Sequence, residues 1–325
     1  MARLKIVAGG AVALALTACQ IHQQKPQQMA MDEHMAHMSA ADMATPSVPE
    51  SNQQGDLKLP PSAMHTAARL AASPRHGEWV RVAYEPGSKD SLEAYVVYPT
   101  NSSAKAPVVV VIHEIFGLSA WVRGVADQAA AEGFIAIAPD LNSRLRGGPS
   151  ADSISADSAR KLSGLVPAAE RNKAIDAVAK YAMSQPSAVP KYAVIGYCYG
   201  GGTVWMHAVN GGIPGYSGGV AFYGLPYMNG AVPNADSLKK ITKPVMLLSG
   251  AKDARIGAAM PAVDSAMKSL GKWYYGSNYP GAVHGFLRAQ DDPKATRDPA
   301  EEQANLAATK DAWPRTVKFL KDNLK

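Results

Sequence analysis

The sequence predicts an α/β fold: a mostly parallel, doubly wound sheet with an N-terminal antiparallel hairpin. Three observations carry this. The short runs APVVVVIHE (106–114), GFIAIAPD (133–140) and KPVMLLSG (243–250) are apolar almost throughout instead of alternating, as strands buried on both faces are. Helical patterns separate such runs, as in SAWVRGVADQAAAEG (119–133) with its closing glycine, and strand–helix alternation implies parallel pairing with helices on both faces. Finally, WVRVAYE (79–85) and LEAYVVYP (92–99) flank the turn-rich PGSKD, which reads as a hairpin.

Further strands are expected at YAVIGY (192–197), GGVAFYG (218–224) and KWYYGSNY (272–279). Helices are expected over 168–183, from the glycine run at 200–202 onward, and over 301–323. The 325 residues are 47% hydrophobic and 18% charged, ample for one large core plus a tail. The formal charge of +6 comes from interspersed lysines and arginines, not from a block, so no nucleic-acid partner is expected.

The first residues stand outside this fold. MARLKIVAGGAVALALTACQ has Arg3 and Lys5, an apolar run from Ile6 to Leu16, then small residues. That is the layout of a secretory signal, and the run is short for a permanent span. Leu16-Thr17-Ala18-Cys19 resembles the lipobox of bacterial lipoproteins, in which the cysteine is lipidated and becomes the new N-terminus. The plainer alternative is an ordinary signal cut near Ala18. The resemblance implies a signal over residues 1–19 and a membrane partner through a lipid anchor. Gln20, where aspartate would signal inner-membrane retention, favours the outer membrane of the cell envelope, facing the periplasm.

Residues 20–75 read as a flexible tether rich in Gln, Met, Ala, Pro and Ser. Met29, Met31, His34, Met35, His37, Met38 and Met43 crowd together in it. Thioether and imidazole groups suit copper, and a tether of drifting composition is the plainer reading. SAMHTAARLAA (62–72) suits a short helix. The catalytic domain is expected over 76–325, so deleting residues 25–60 should leave its activity unchanged.

If Cys19 carries lipid, Cys198 is the one thiol left, with no partner for an internal disulfide. It lies in Gly196-Tyr197-Cys198-Tyr199-Gly200, G-x-C-x-G between a strand and a helix. This is a nucleophile elbow with sulfur in place of the usual hydroxyl. The tight turn strains its central residue, and small residues two places before and after relieve the crowding. The following helix points its N-terminus at the site and favours negative charge there. An elbow nucleophile needs an acid and then a histidine later in the chain. Asp253 follows the strand KPVMLLSG, and His284 lies on the loop after KWYYGSNY. Taken singly, Asp253 suits a helix cap and His284 a surface loop.

These residues resemble the dienelactone hydrolases, within the α/β-hydrolase superfamily. The resemblance runs from about Asp90 to the C-terminus. It includes His113-Glu114-Ile115-Phe116-Gly117, GFIAIAPD, GYCYGG, the Asp253 loop and His284-Gly285-Phe286. It implies an α/β-hydrolase fold, Cys198 as nucleophile, His284 as base and Asp253 as orienter. Glu114 is implied as the accessory carboxylate that holds the resting thiol, its alternative being a structural carboxylate paired with an arginine. The superfamily places one oxyanion N–H on the residue after the nucleophile, Tyr199, and the resemblance puts the other on Ile115. Arg288, and Arg160 in the region of a second arginine, are implied as substrate-carboxylate binders. The segment 141–166 departs from the family pattern, and its serine and glycine suggest a remodelled lid or rim. The implied partner is a small-molecule ester or lactone, hydrolysed without cofactor or metal. A broad carboxylesterase or thioesterase is the alternative within enzymes, and a non-catalytic envelope binding lipoprotein the alternative outside them.

Overall fold

The apolar runs become neighbouring strands of one sheet. The computed structural model describes residues 52–100, 104–151, 153–291 and 299–325. These fall in one unit, Ser39–Lys325; the other unit, Met1–Met38, lies outside them. The signal, Cys19 and the Met/His-rich stretch 29–43 therefore lie outside the described residues.

In chain order the strands are β1 (Gly77–Ala83), β2 (Ser91–Val97), β3 (Ala106–Ile112), β4 (Ile135–Pro139), β5 (Ala188–Tyr197), β6 (Tyr216–Phe222), β7 (Met228–Asn229), β8 (Val232–Pro233), β9 (Val245–Gly250) and β10 (Tyr274–Tyr279). Among the described residues, eight form the main sheet in the order β1-β2-β4-β3-β5-β6-β9-β10, and β7 pairs with β8 apart from it. β2 pairs antiparallel with both β1 and β4. The remaining pairings of the main sheet are parallel. This is the expected architecture, hairpin included. Its cause is legible in the burial: six of the seven β3 residues and all of β4 and β9 are buried. The edge strands β1 and β10 are only partly covered, and exposed Glu78 and Arg81 on β1 discourage pairing with another chain.

The helices are α1 (Thr66–Ala71), α2 (Ala120–Ala131), α3 (Ser143–Arg146), α4 (Ala156–Leu165), α5 (Ala168–Met183), α6 (Tyr199–Asn210), α7 (Ala235–Leu238), α8 (Ala254–Ser269) and α9 (Pro299–Asn323). Four of them go beyond the sequence reading, the four-residue α3 and α7 and the longer α4 and α8. α4 occupies most of the second half of the suspected lid and starts with Ser155 Oγ accepting the Ser158 N–H at 3.2 Å. α8 buries Ile256, Met260, Val263 and Met267 at helical spacing, but Pro261 lies among them and obscures the pattern. No helix of the described residues is long and apolar enough to cross a membrane.

The strand order positions the site. The chain runs from β3 outward to β4, then returns to lay β5 along the other side of β3. Such a reversal opens a crevice at the carboxyl ends of the two strands.

The tether boundary differs from the expected one, because residues 53–73 pack on the domain. Leu59 is buried, and the Trp121 indole N–H donates to the Pro61 carbonyl at 2.9 Å. Arg69, 4% exposed, donates to the carbonyls of Gln54, Asp56 and Leu59 and to Gln128 Oε1 at 2.7–3.3 Å. This strap also holds the loop after β10. The Ala63 N–H donates to the Arg288 carbonyl (2.9 Å), Gln290 Nε2 donates to the Pro60 carbonyl (2.8 Å), and His65 Nε2 lies 3.2 Å from an Asp291 oxygen. The domain therefore begins before residue 76, and the deletion expected to be silent would remove part of it. A chain starting at residue 52 should melt like the full mature protein. One starting at residue 73 should lose about 2–4 kcal/mol, or roughly 5–15 °C in Tm. Equal melting of the two in calorimetry would show that the strap contributes nothing.

Candidate active site

β5 ends at Tyr197 and α6 begins at Tyr199, which leaves one residue to reverse the chain. That residue, Cys198, takes φ 54° and ψ −111°. Non-glycine residues avoid such backbone at a cost on the order of 1–3 kcal/mol. Two hydrogen bonds hold it: its N–H donates to the Phe222 carbonyl at 3.0 Å, and its carbonyl accepts the Gly202 N–H at 3.1 Å. Gly196 and Gly200 give the room expected of them. A Cβ on Gly196 would strike the Gly200 carbonyl, and one on Gly200 would strike the carbonyls of Ile112 and His113. Cys198 is buried, and it is the free cysteine of the described residues.

Asp253 uses its two oxygens differently. Oδ1 caps α8 by accepting the Ile256 N–H at 3.2 Å. Oδ2 accepts the Nδ1–H of His284 at 2.5 Å. With Nδ1 engaged, Nε2 is left for Cys198, with which the ring is in hydrogen-bonding and electrostatic contact. Burial opposes the imidazolium. The Cys198 charge and the Asp253 hydrogen bond outweigh it and hold His284 well above its ordinary value. Burial would likewise raise Asp253, but the His284 hydrogen bond and charge, with the Ile256 N–H, hold the carboxyl below the usual range. The structure thus brings Cys198, Asp253 and His284 together beyond the ends of β5, β9 and β10.

Ile115 and Tyr199 follow the ends of β3 and β5, neighbours that align Ile112 with Gly196. The Tyr199 amide heads α6, where no helical carbonyl can reach it. Ile115 is buried, and its carbonyl accepts the Ser163 Oγ–H from α4 at 2.9 Å. Glu114 is buried and pairs with Arg288, Oε2 to Nε 3.1 Å, the arginine-paired arrangement that the sequence left as its alternative. Arg288 and Arg160 both approach the Phe116 ring, at 5.2 and 6.0 Å from its centroid. Arg160, on α4, also pairs with Asp157 at 2.9 Å, so the suspected lid carries one arginine to the residue that the other one faces.

Two residues near the site escaped the sequence reading. Tyr223, directly after β6, also has positive φ, 39°. Its ring lies 4.9 Å from that of His284 and 5.6 Å from that of Phe286. Burial, reinforced by the Glu114 charge, pushes its phenol well above the ordinary value, so it stays neutral. Arg255 stands in the first turn of α8; burial pulls its pKa down, while the charges of Asp253 and Cys198 pull it back up. Its one sequence signal is a cation at a helix start, which runs against the helix dipole. Tyr223 offers none beyond its place after a strand.

Residues 92–324 match the model of the dienelactone hydrolase family. Over 269 residues the chain is 28% identical to a protein of Escherichia coli (strain K12) provisionally named a carboxymethylenebutenolidase, covering 80% of this chain and 93% of that one. A crystal structure from Klebsiella pneumoniae subsp. pneumoniae, provisionally described as a dienelactone hydrolase, has TM-score 0.60 at 26% identity and covers 76% of this chain and 99% of its own. A dienelactone hydrolase-like promiscuous phosphotriesterase from metagenomic libraries shares the fold at TM-score 0.56 and 22% identity, over 76% of this chain and 98% of its own. A match that runs from β2 to the last residue but one, with relatives covered over nearly their whole length, is membership: the chain belongs to the dienelactone hydrolase family and is a hydrolase of ester or lactone bonds.

Proposed function

We propose that the chain hydrolyses small esters or lactones through an acyl-enzyme on Cys198. The observation that carries this reading is the 2.5 Å hydrogen bond from His284 to Asp253, on a ring whose other nitrogen is left for a cysteine held at positive φ. The thiolate attacks the carbonyl carbon, a C–S bond forms, and the π pair moves onto oxygen. The amides of Ile115 and Tyr199 receive that oxyanion. Its collapse breaks the C–O bond, and the leaving oxygen takes the Nε2 proton of His284. Water then attacks the thioester while His284 takes its proton, and the carboxylic acid leaves with the thiolate restored. Asp253 keeps His284 in the Nδ1–H form throughout. Arg288 and Arg160 suit a carboxylate on the substrate, and Glu114 shares Arg288 with it.

A panel of lactones, aryl esters and thioesters tests the reading and ranks substrate classes. Cys198→Ala and His284→Ala should each lower kcat/KM by at least about 10⁴-fold, because residues acting as one unit fail together. Asp253→Asn should lose less, since nucleophile and base persist. Turnover surviving in Cys198→Ala would overturn the reading.

The raised His284 pKa has Cys198 as its largest opposing influence to burial. Cys198→Ala removes that charge, so His284 should lose its proton at lower pH than in the native protein. NMR titration of the labelled imidazole reads this directly, and an unchanged midpoint would mean that the thiol is uncharged while the histidine is protonated.

We also infer that lipid on Cys19 tethers the mature chain to the outer membrane, facing the periplasm. The order of Arg3 and Lys5, apolar run and cysteine supports it. Cys19→Ser should move the protein from the membrane to the soluble fraction, because stable anchoring takes more than one acyl chain. Retention in the membrane would place the anchor elsewhere.

A further inference from the structure

His113 is fully buried and lies one residue before Glu114 in the loop after β3. Its two nitrogens have opposite duties. Nδ1 lies 2.6 Å from the Glu114 carbonyl oxygen, which can only accept, so Nδ1 carries the proton. Nε2 lies 3.2 Å from the Leu141 N–H, which can only donate, so Nε2 offers its lone pair. The ring is a neutral donor–acceptor link, and burial agrees, pushing its pKa down to about 4.

The carbonyl that His113 engages belongs to the same peptide unit as the Ile115 N–H. A trans peptide is planar, with its C=O and N–H pointing in opposite directions. Fixing the Glu114 oxygen therefore fixes where the Ile115 N–H points. The Gly117 N–H donates to the same oxygen at 3.2 Å, and Ser163 holds the next carbonyl, that of Ile115. Hydrogen bonds to a carbonyl also polarise the amide's N–H and strengthen it as a donor. The His113 ring also stacks on Tyr199, with centroids 6.0 Å apart and planes 15° from parallel, so one ring touches both segments that supply the oxyanion donors.

We propose that His113 is a positioning residue for the oxyanion site: by donating to the Glu114 carbonyl it aims and polarises the Ile115 N–H, one of the two oxyanion donors. This rests on the reading of Ile115 and Tyr199 as those donors. His113 touches no reacting atom, so its loss should slow formation of the tetrahedral oxyanion while sparing thiolate reactivity.

Three variants separate the contacts. His113→Asn places an amide nitrogen near the Nδ1 position and can keep the Glu114 bond. His113→Gln reaches toward the Nε2 position and can keep only the Leu141 bond. His113→Phe keeps the stack and loses both bonds. Two reactions are followed on each folded variant: ester turnover, which passes through an oxyanion, and alkylation of Cys198 by iodoacetamide, which does not. The expected result is a kcat loss of about 10- to 100-fold in His113→Gln and His113→Phe, below the about 10²–10³-fold cost of deleting a donor outright. KM should stay within about threefold, His113→Asn should keep most of kcat, and alkylation rates should equal the native one in all three. Native turnover in His113→Gln, or a loss in His113→Asn as large as in His113→Phe, overturns the proposal. So does alkylation falling in step with turnover, which would mean a disturbed elbow instead of a misaimed amide. Native protein that turns over ester after complete alkylation of Cys198 would overturn the nucleophile assignment itself, and with it the basis of the inference.

Discussion

One residue must turn β5 into α6, and the site follows from that constraint. A strand running toward the crevice and a helix running back from it cannot be joined through a single α- or β-region residue, so Cys198 takes positive φ. The strain is tolerable because the surroundings leave no alternative. The Phe222 carbonyl and the Gly202 N–H hold its backbone, and Gly196 and Gly200 let α6 approach β3 and β5 more closely than any side chain would allow. That approach puts the Tyr199 amide beside the loop that follows β3. Cys198 and the Tyr199 amide thus owe their positions to one close contact between a glycine-lined helix and two parallel strands.

The charges around the turn are arranged so that burial never acts alone. Asp253 and His284 each meet a desolvation penalty that their mutual hydrogen bond offsets, with the His284 charge and the Ile256 N–H helping Asp253 and the Cys198 charge helping His284. Glu114 is met by Arg288. Breaking one member of such a set leaves the other buried and uncompensated, which is costlier than never burying it. Neutral polar groups complete the shell: Tyr223 against His284, and His113 between the Glu114 carbonyl and the Leu141 amide. The site is therefore polar but without an unanswered ion among these groups.

Legibility in the sequence followed chain-local landmarks. Cys198, Asp253 and His284 each sit within a few residues of the end of a strand, so strand recognition located them and their order related them. Glu114 was legible as a residue but not as a partner of Arg288, because 174 positions separate them in the chain and only the sheet order joins their loops. Tyr223 was invisible, since a tyrosine after a strand looks like any core aromatic until its φ and its contact with His284 are known. α8 was hidden by Pro261, whose cost in a helix is overridden here by a buried stripe of Ile256, Met260, Val263 and Met267.

The strap was illegible for a different reason. What residues 53–61 offer is mostly main chain: the carbonyls of Gln53, Gln54, Asp56, Leu59, Pro60 and Pro61 accept from His65, Arg69, Gln290 and Trp121. Backbone acceptors leave no trace in composition or periodicity, so a polar, proline-bearing stretch reads as a linker whether or not it is docked. The family match, beginning at residue 92, omits it as well. Yet the loop that bears His284 and Arg288 is held from two elements. From α9, Asn305 Oδ1 accepts the Val283 N–H at 3.0 Å. From the strap come the Ala63 bond to the Arg288 carbonyl and the Pro60 bond to Gln290. The His284 ring meets both Asp253 and Cys198, a fit that tolerates little movement of its loop, so the strap belongs to the folded domain on mechanical grounds, whatever the composition of its residues suggests.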